Sequence, residues 1–310
     1  MTASTVCILG GTGFVGRAVA ARLSGAGSKI RVLTRASARH RDLLVLPGLV
    51  LIDGDVHDPG FLQRQFQGVD VVINLVGILN ERGHSGAGFE RAHAELPAKI
   101  ATVCRHVGVR RLLHMSALGA AHHAPSFYLC TKARGEDAVH AAGADVRVTS
   151  FRPSVIFGAH DSFTNRFAGL LRFVPGVFPL ACPDAKFQPV YVEDVARAFV
   201  TSIGEYRCYG QRYDLCGPTV YRLRELVSYI AALQRRHVRV IGLNAPLSRL
   251  QAVVLEYVPG KPFSLDNYRS LQLDSVCAGS NTLRTVFGIE PTPLEYVAPG
   301  YLAPPQPRLA

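Results

Sequence analysis

The chain has 310 residues, of which 48% are hydrophobic and 18% are charged. This composition fits one large folded domain with a smaller addition, and it excludes a largely disordered chain. The formal net charge of +11 predicts attraction to anions, but the basic residues form no single run, so we expect no nucleic-acid partner.

The beginning of the chain and its cysteines bear on location. From Met1 the sequence passes through small and polar residues into an apolar run, without a charged leader or a cleavage pattern. No uninterrupted apolar stretch reaches about 18 residues, so we expect no transmembrane segment and a cytoplasmic location. The seven cysteines include no Cys-x-x-Cys pair, and we expect reduced thiols and no metal site. They are Cys7, Cys104, Cys130, Cys182, Cys208, Cys216 and Cys277.

Short β-branched runs alternate with helical patterns as far as about Arg152, which is typical of parallel βαβ units. We therefore predict an α/β fold, a Rossmann-type doubly wound parallel sheet with a smaller C-terminal cap lobe. Residues 1–158 form the predicted dinucleotide-binding domain and 159–310 the cap lobe, with 189–203 returning to the core. The predicted strands are 6–9, 30–34, 50–52, 71–75, 111–115 and 146–151.

The first predicted strand runs into a glycine-rich turn and then a helical pattern. The turn reads Gly10-Gly11-Thr12-Gly13-Phe14-Val15-Gly16. Gly10 permits the tight turn, Gly13 lets the backbone approach a pyrophosphate, and Gly16 lets the helix pack closely. The start of the helix offers free N–H groups and a partial positive charge to phosphates. This strand, turn and helix together predict dinucleotide binding.

The end of the second predicted strand indicates which dinucleotide binds. NAD-specific proteins carry an acidic residue there, which holds the ribose 2′-hydroxyl, whereas this chain has Leu33-Thr34-Arg35. The guanidinium of Arg35, with Arg39 and Arg41 behind it, suits a 2′-phosphate. The other interpretation is a solvated basic loop. The sequence thus predicts NADP(H), with NAD(H) as the alternative.

Two more turns lie at the same predicted edge of the sheet. Asp55 and Val56 follow the third strand, and Val76 and Gly77 follow the fourth. The first pair are candidates for contacts with adenine, and the second pair for contacts with the cofactor through the backbone. Ordinary turn chemistry explains these residues equally well.

Tyr128 and Lys132 are four residues apart in a helical pattern and so share one face. A cation beside a phenol favours the phenolate and lowers its pKa, and the ammonium can also bind a cofactor ribose. The pair predicts proton transfer during movement of a hydride. The same spacing also arises on solvated helices, but after a glycine-rich turn and five strands it favours a site.

The chain resembles the extended or atypical branch of the short-chain dehydrogenase/reductase superfamily over nearly its whole length. The motifs after the sheet that carry this likeness are Phe151-Arg152-Pro153-Ser154-Val155-Ile156-Phe157-Gly158 and Pro189-Val190-Tyr191-Val192-Glu193-Asp194-Val195-Ala196. Within the branch, the chain is most similar to the NADPH-binding accessory subunit type of respiratory complex I and its bacterial relatives. That likeness rests on Asn165-Arg166-Phe167-Ala168, Lys186-Phe187-Gln188-Pro189-Val190-Tyr191-Val192, Gly288-Ile289-Glu290-Pro291-Thr292 and Pro299-Gly300-Tyr301-Leu302.

The resemblance implies roles for the matching positions. It implies pyrophosphate contacts at Gly10, Gly13 and Gly16, with Thr12, Phe14 and Val15 in the same turn. It implies that Arg35 recognises a 2′-phosphate and that Asp55 and Val56 contact adenine. It also implies that Tyr128 and Lys132 contact the ribose or the nicotinamide, and that Pro153 and Val155 lie beside the nicotinamide. Active members polarise a substrate carbonyl with a Ser or Thr just beyond the fifth strand, and Ser116 lies close to that place. A helix position that often carries Asn is His93 here. The resemblance therefore leaves open whether the Tyr/Lys pair transfers protons or only binds the cofactor.

Two functions follow. In the first, the chain is an NADP(H)-binding protein of the complex I accessory type, associated with complex I or the inner-membrane surface, whose cofactor is structural or senses redox state. In the second, it is an active NAD(P)-dependent oxidoreductase or epimerase with Tyr128 as acid/base, acting on a carbonyl, sugar-nucleotide or quinone-related substrate. The apolar stretch 166–180 packs the cap lobe, covers a lipid-like substrate or touches a membrane.

Overall fold

The structure, a computed structural model, describes residues 4–174 and 176–304. Its strands are β1 (Thr5–Leu9), β2 (Lys29–Thr34), β3 (Leu49–Asp53), β4 (Val71–Asn74), β5 (Arg111–Met115), β6 (Arg147–Pro153), β7 (Ile156–Phe157), β8 (Val177–Leu180), β9 (Lys186–Phe187), β10 (Val190–Tyr191), β11 (Gln211–Leu215), β12 (Tyr221–Arg222) and β13 (Arg239–Gly242). Its α-helices are α1 (Phe14–Gly25), α2 (Pro59–Phe66), α3 (Ala87–Glu90), α4 (Leu96–Val107), α5 (Phe127–His140), α6 (Thr164–Phe173), α7 (Val192–Ser202), α8 (Leu223–Leu233), α9 (Ala245–Glu256), α10 (Leu265–Ser270), α11 (Thr282–Thr285), α12 (Leu294–Val297) and α13 (Pro299–Leu302).

The central sheet has seven parallel strands in the order β11-β6-β5-β4-β1-β2-β3. Aliphatic runs such as Val71-Val72-Ile73 are buried on both faces, as parallel strands covered by helices must be. The strand order reverses between β1 and β4. In sheets of this kind, ligands bind at the carboxyl ends of the two strands at such a reversal, where the crossing helices diverge.

Helices cover both faces of the sheet. On one face, α1 and α7 pack on β1 through buried residues that include Val19, Val195 and Phe199. On the other face, α2 and α4 contribute Leu62 and Ile100 to a second buried cluster. A third cluster, built largely from α6, α8, α12 and α13, forms the core of the cap lobe. Hence α7 packs in the same buried cluster as β1 and α1.

Each of the six predicted strands overlaps a strand of the sheet, and the predicted Rossmann-type fold is confirmed. The seventh strand, β11, was missed because it lies inside the segment assigned to the cap lobe. It pairs with β6 from Gln211 to Leu215 and so extends the sheet at its edge. The division into two domains at residue 158 remains a prediction.

A π-helical turn, Arg91–Glu95, separates α3 from α4. Pro97 has no N–H, so the carbonyl of His93, four residues earlier, loses its usual helical partner. Helix α5 packs against that carbonyl through Gly135, where any Cβ would overlap the His93 oxygen. This close approach fixes the spacing between α5 and the π turn.

The expectation that all seven cysteines are reduced is wrong for one pair. Cys216, directly after β11, forms a disulfide with Cys277, and their Cα atoms lie 6.1 Å apart. The two residues are 61 positions apart in sequence, and no local spacing indicated that the fold brings them together. Within the described residues, every helix is too short or too polar to cross a membrane.

Candidate functional site

The glycine-rich turn joins β1 to α1. Gly10 has φ +78°, and a Cβ there would lie 2.8 Å from the carbonyl carbon of Leu75. Gly13 is the N-cap of α1 and offers no capping side chain, so the first N–H groups of the helix remain available to an anion. A Cβ at Gly16 would overlap the Gly10 carbonyl oxygen. The turn thus has the geometry that the sequence predicts for pyrophosphate, and the binding itself remains a prediction.

Arg35 follows β2 directly, and its side chain is exposed. The carboxylate that ends the neighbouring strand belongs to Asp53, which accepts bonds from the Ser37 N–H (2.7 Å) and the Ser37 hydroxyl. The hydroxyl bond, followed by the N–H bond, lowers the pKa of Asp53. Asp53 therefore holds the short loop that follows Arg35, and its oxygens are already bonded within the protein.

Arg17 is a second cation near this loop, which the sequence analysis missed. Its Nε donates to the carbonyl of Thr12 at 3.1 Å, and its guanidinium pairs with Asp42. Arg17 thereby connects the glycine-rich turn to the segment after β2. Nothing in the sequence marked it, because an arginine one turn into a helix is common on solvated faces.

Asp55, Val56 and Val76 lie along the same edge, just after β3 and β4. The Asp55 carboxylate accepts the N–H of His57 at 2.9 Å, which is a local turn bond. Val56 and Val76 pack against the apolar cluster beneath α2 and α4. Their side chains are half-buried at the edge, and contacts with adenine or the cofactor backbone remain predictions.

Tyr128 and Lys132 lie one turn apart on α5. The Lys132 ammonium donates to the Met115 carbonyl at 3.1 Å, at the end of β5. Burial lowers the pKa of Lys132 to about 8, against the opposing attraction of Glu136, and burial raises the pKa of Tyr128 to about 12. The expected lowering of the phenol pKa is therefore wrong. The ammonium is bonded to Met115, and desolvation of the phenol prevails.

His93 packs against Tyr128 edge to face, with ring centroids 5.3 Å apart. Its Nε2 accepts the N–H of Ile78 at 3.0 Å, so the proton lies on Nδ1, which is 3.3 Å from the Thr131 hydroxyl. Burial, with a smaller effect of Lys132, lowers the pKa of His93 to about 2. The neutral imidazole holds the loop after β4 against α5.

Ser116 is buried just beyond β5, and its hydroxyl donates to Glu136 at 2.8 Å. Glu136 also pairs with Arg152 at 2.9 Å and with Arg212 at 3.1 Å. A carboxylate is a stronger acceptor than a neutral carbonyl, so the hydroxyl hydrogen of Ser116 is already engaged. The sequence analysis missed Glu136, although its position four residues after Lys132 on the same helix was a usable signal.

The cap lobe reaches the start of α5 through Asp266. Its carboxylate accepts the backbone N–H groups of Phe127 at 2.7 Å and Tyr128 at 3.1 Å. The Ser126 hydroxyl caps the same helix end by accepting the Leu129 N–H at 3.2 Å. Asp266 thus fixes the end of the helix that carries Tyr128. It is distant in sequence, and no motif indicated this role.

A cavity of about 540 Å³ joins most of the predicted site residues, and its volume lies within the range of small-molecule sites. The site residues on its wall are Gly10, Gly13, Phe14, Val15, Gly16, Gly77, Ser116, Tyr128, Lys132, Pro153 and Val155. Those along the open sheet edge outside it are Thr12, Arg35, Asp55, Val56 and Val76. In the part of the chain that the structure describes, no three His, Cys, Asp or Glu side chains cluster as metal ligands would.

Comparison with known proteins agrees with this geometry. The chain is 32% identical over 279 residues to the mitochondrial NADH dehydrogenase (ubiquinone) 1 alpha subcomplex subunit 9 of Arabidopsis thaliana, covering 87% of this chain and 68% of that protein. It is 33% identical over 198 residues to the ceramide reductase of Caulobacter vibrioides, covering 63% and 59%. The likeness to complex I subunits that the sequence motifs predicted is confirmed.

A solved structure, MoeE5 in complex with UDP-glucose and NAD, has the same fold, with a TM-score of 0.74 at 19% identity over 96% of this chain and 97% of that one. The profile of the "NAD dependent epimerase/dehydratase family" matches residues 6–215, from β1 through β11. Because this match spans the whole sheet and the glycine-rich turn, the chain belongs to the NAD dependent epimerase/dehydratase family and has its NAD(P)-binding fold.

Proposed function

We propose that the protein binds NADP(H) along the sheet edge from Arg35 to Lys132, and that the dinucleotide stabilises the fold or reports redox state. The observation that favours NADP(H) over NAD(H) lies at the end of β2. Arg35 is exposed there, and the adjacent carboxylate of Asp53 is bonded to Ser37. A guanidinium suits a 2′-phosphate, whereas a ribose hydroxyl would need a free carboxylate.

A binding role is supported by the contacts of the groups that would do chemistry. Ser116 donates to Glu136, Lys132 donates to Met115, and burial raises the pKa of Tyr128 to about 12. A phenol with so high a pKa is a weak acid and stays protonated near neutral pH. A bound dinucleotide still stabilises the folded state by mass action without turnover.

The proposed setting is the cytoplasmic or matrix face of a respiratory membrane, in contact with complex I. Two observations support it. The chain is similar over most of its length to a mitochondrial NADH dehydrogenase subunit, and its net charge of +11 favours an anionic surface. Co-purification of the native protein with complex I, in preparations washed at low and at high salt, tests this setting.

The Arg35→Asp variant tests the cofactor. Loss of a charge-assisted bond to the 2′-phosphate should weaken NADPH binding by about 10-fold to 100-fold, while NADH binding changes little. Isothermal titration with both dinucleotides measures the two affinities. Arg105→Asp, an exposed change at the far end of α4, is the control for the altered net charge. Equal loss of NADPH and NADH affinity in Arg35→Asp would refute the assignment.

A second candidate is an active NAD(P)-dependent oxidoreductase or epimerase. The observation that favours it is that Tyr128 and Lys132 both face the cavity on which Gly13 and Pro153 also lie. Oxidation of NADPH in the presence of carbonyl, quinone or sugar-nucleotide substrates, abolished in Tyr128→Phe, would support this candidate. Turnover that Tyr128→Phe leaves unchanged would count against it.

A further inference from the structure

The cavity continues beyond Tyr128 beneath the cap lobe, and there its wall is mostly apolar, with a few polar side chains such as Gln251 and Asn267. Four phenylalanine rings form a continuous row along it. The ring centroids lie 5.4 Å apart for Phe187 and Phe163, 5.3 Å for Phe163 and Phe167, and 6.4 Å for Phe167 and Phe178. Leu170 from α6 and Leu255 from α9 also line this part. We call the space bounded by these six residues the cap chamber.

One cation lies on the wall of the cap chamber. Among the described residues around the cavity, Lys132 and Arg166 are the only charged side chains. Arg166 lies in the first turn of α6, next to Phe167 in sequence. Its Nη1 donates to the Pro262 carbonyl at 3.2 Å, which leaves most of the five N–H groups of the guanidinium for a ligand. A half-buried cation among aromatic rings is stabilised by an anionic partner.

We propose that the cap chamber binds a single-chain amphiphile, with its hydrocarbon chain against the phenylalanine row and its anionic end on Arg166. This inference deepens the proposed function and rests on it, because it names the class of molecule that shares the cavity with NADP(H). A sugar nucleotide does not suit the chamber. Its many hydroxyl and phosphate oxygens would be buried against carbon, with one cation and few polar side chains to bond them.

Helix α9 offers a matched pair of leucines for the test. Leu255 lines the cavity, whereas Leu250 is 57% exposed on the same helix. The probe is cis-parinaric acid, a fatty acid whose fluorescence rises in apolar surroundings, titrated into the full chain with NADPH present. Leu255→Gln places an unpaired amide in the chamber and should weaken probe binding about tenfold, and Leu250→Gln should leave it unchanged.

A second comparison tests the polar end. The methyl ester of the same probe keeps the chain but removes the negative charge. Arg166→Gln should therefore weaken binding of the acid about tenfold or more and change binding of the ester less than twofold. Thermal unfolding of each variant with NADPH shows whether the fold and the dinucleotide site are intact.

The outcomes separate this inference from the proposed function. If NADPH binds normally but the probe does not bind, or binds equally to both α9 variants, the inference is overturned and the proposed function stands. Displacement of the probe by UDP-glucose would also overturn it. If the probe binds with the predicted dependence on Leu255 and Arg166 while NADPH does not bind, the chamber is confirmed and the proposed cofactor fails.

Discussion

The hydroxyl of Ser116 donates to the buried carboxylate of Glu136, with 2.8 Å between Oγ and Oε2. The residue expected to polarise a substrate carbonyl therefore ties the end of β5 to α5. Glu136 is 1% exposed and needs every bond that it accepts, because a buried charge without partners is costly. This contact predicts a structural role for Ser116, which a substitution can test.

Ser116→Ala should lower the free energy of unfolding by about 1–3 kcal/mol, since the buried carboxylate loses a hydrogen bond while its arginine partners remain. The NADPH affinity should stay within about twofold of the unmodified protein. Urea unfolding and isothermal titration measure the two quantities, with the exposed change Ser280→Ala as control. A loss of turnover of about 100-fold without loss of stability would instead assign Ser116 to catalysis.

Acid should destabilise the protein through two buried histidines. Burial lowers the pKa of His93 to about 2 and holds the pKa of His114 well below its usual range. Below about pH 6.5 the unfolded chain binds protons at these histidines that the folded chain does not bind. The contribution of the neutral histidines to the free energy of unfolding is therefore complete above that pH and is lost as the pH falls. Through these two histidines, the free energy of unfolding should fall by about 3 kcal/mol from pH 7.5 to pH 5.5.

Urea unfolding at the two pH values measures this loss. His93→Gln offers a neutral side chain that can still accept the Ile78 N–H, and it should remove roughly 1.4 kcal/mol of the difference, the share of one histidine. Equal stability of the unmodified protein at pH 7.5 and 5.5 would show that the histidines are protonated in the folded state.

The disulfide between Cys216 and Cys277 should stabilise the cap lobe. It closes a loop of 61 residues that contains α8, α9 and α10. Because the cross-link lowers the conformational entropy of the unfolded chain, it favours the folded state. Cys277→Ser should lower the free energy of unfolding by up to roughly 4 kcal/mol, whereas Cys130→Ser, which removes a free thiol, should have little effect. Mass spectrometry of unreduced peptides that found seven free thiols would contradict this pairing.

Local patterns in the sequence predicted the parts of the protein that depend on local rules. The strand, turn and helix around Gly13 and the Tyr128/Lys132 spacing each lie within a few residues, and the structure has them where expected. Contacts that need distant segments were not predictable. Asp266 reaches α5 from the cap lobe, and Cys277 reaches Cys216 only after the chain has folded. The raised pKa of Tyr128 was missed for the same reason, since burial is a property of the whole fold.

Gly135 sets the distance between α5 and the π turn, although it lines no part of the cavity. A methyl group at that position would collide with the His93 carbonyl oxygen, so any other residue must move α5 and the π turn apart. Tyr128 and Lys132 lie on the same helix. The single side-chain hydrogen atom of Gly135 therefore sets how far the phenol and the ammonium stand from the glycine-rich turn across the cavity. A substitution behind the helix would change that distance without altering any group that lines the cavity.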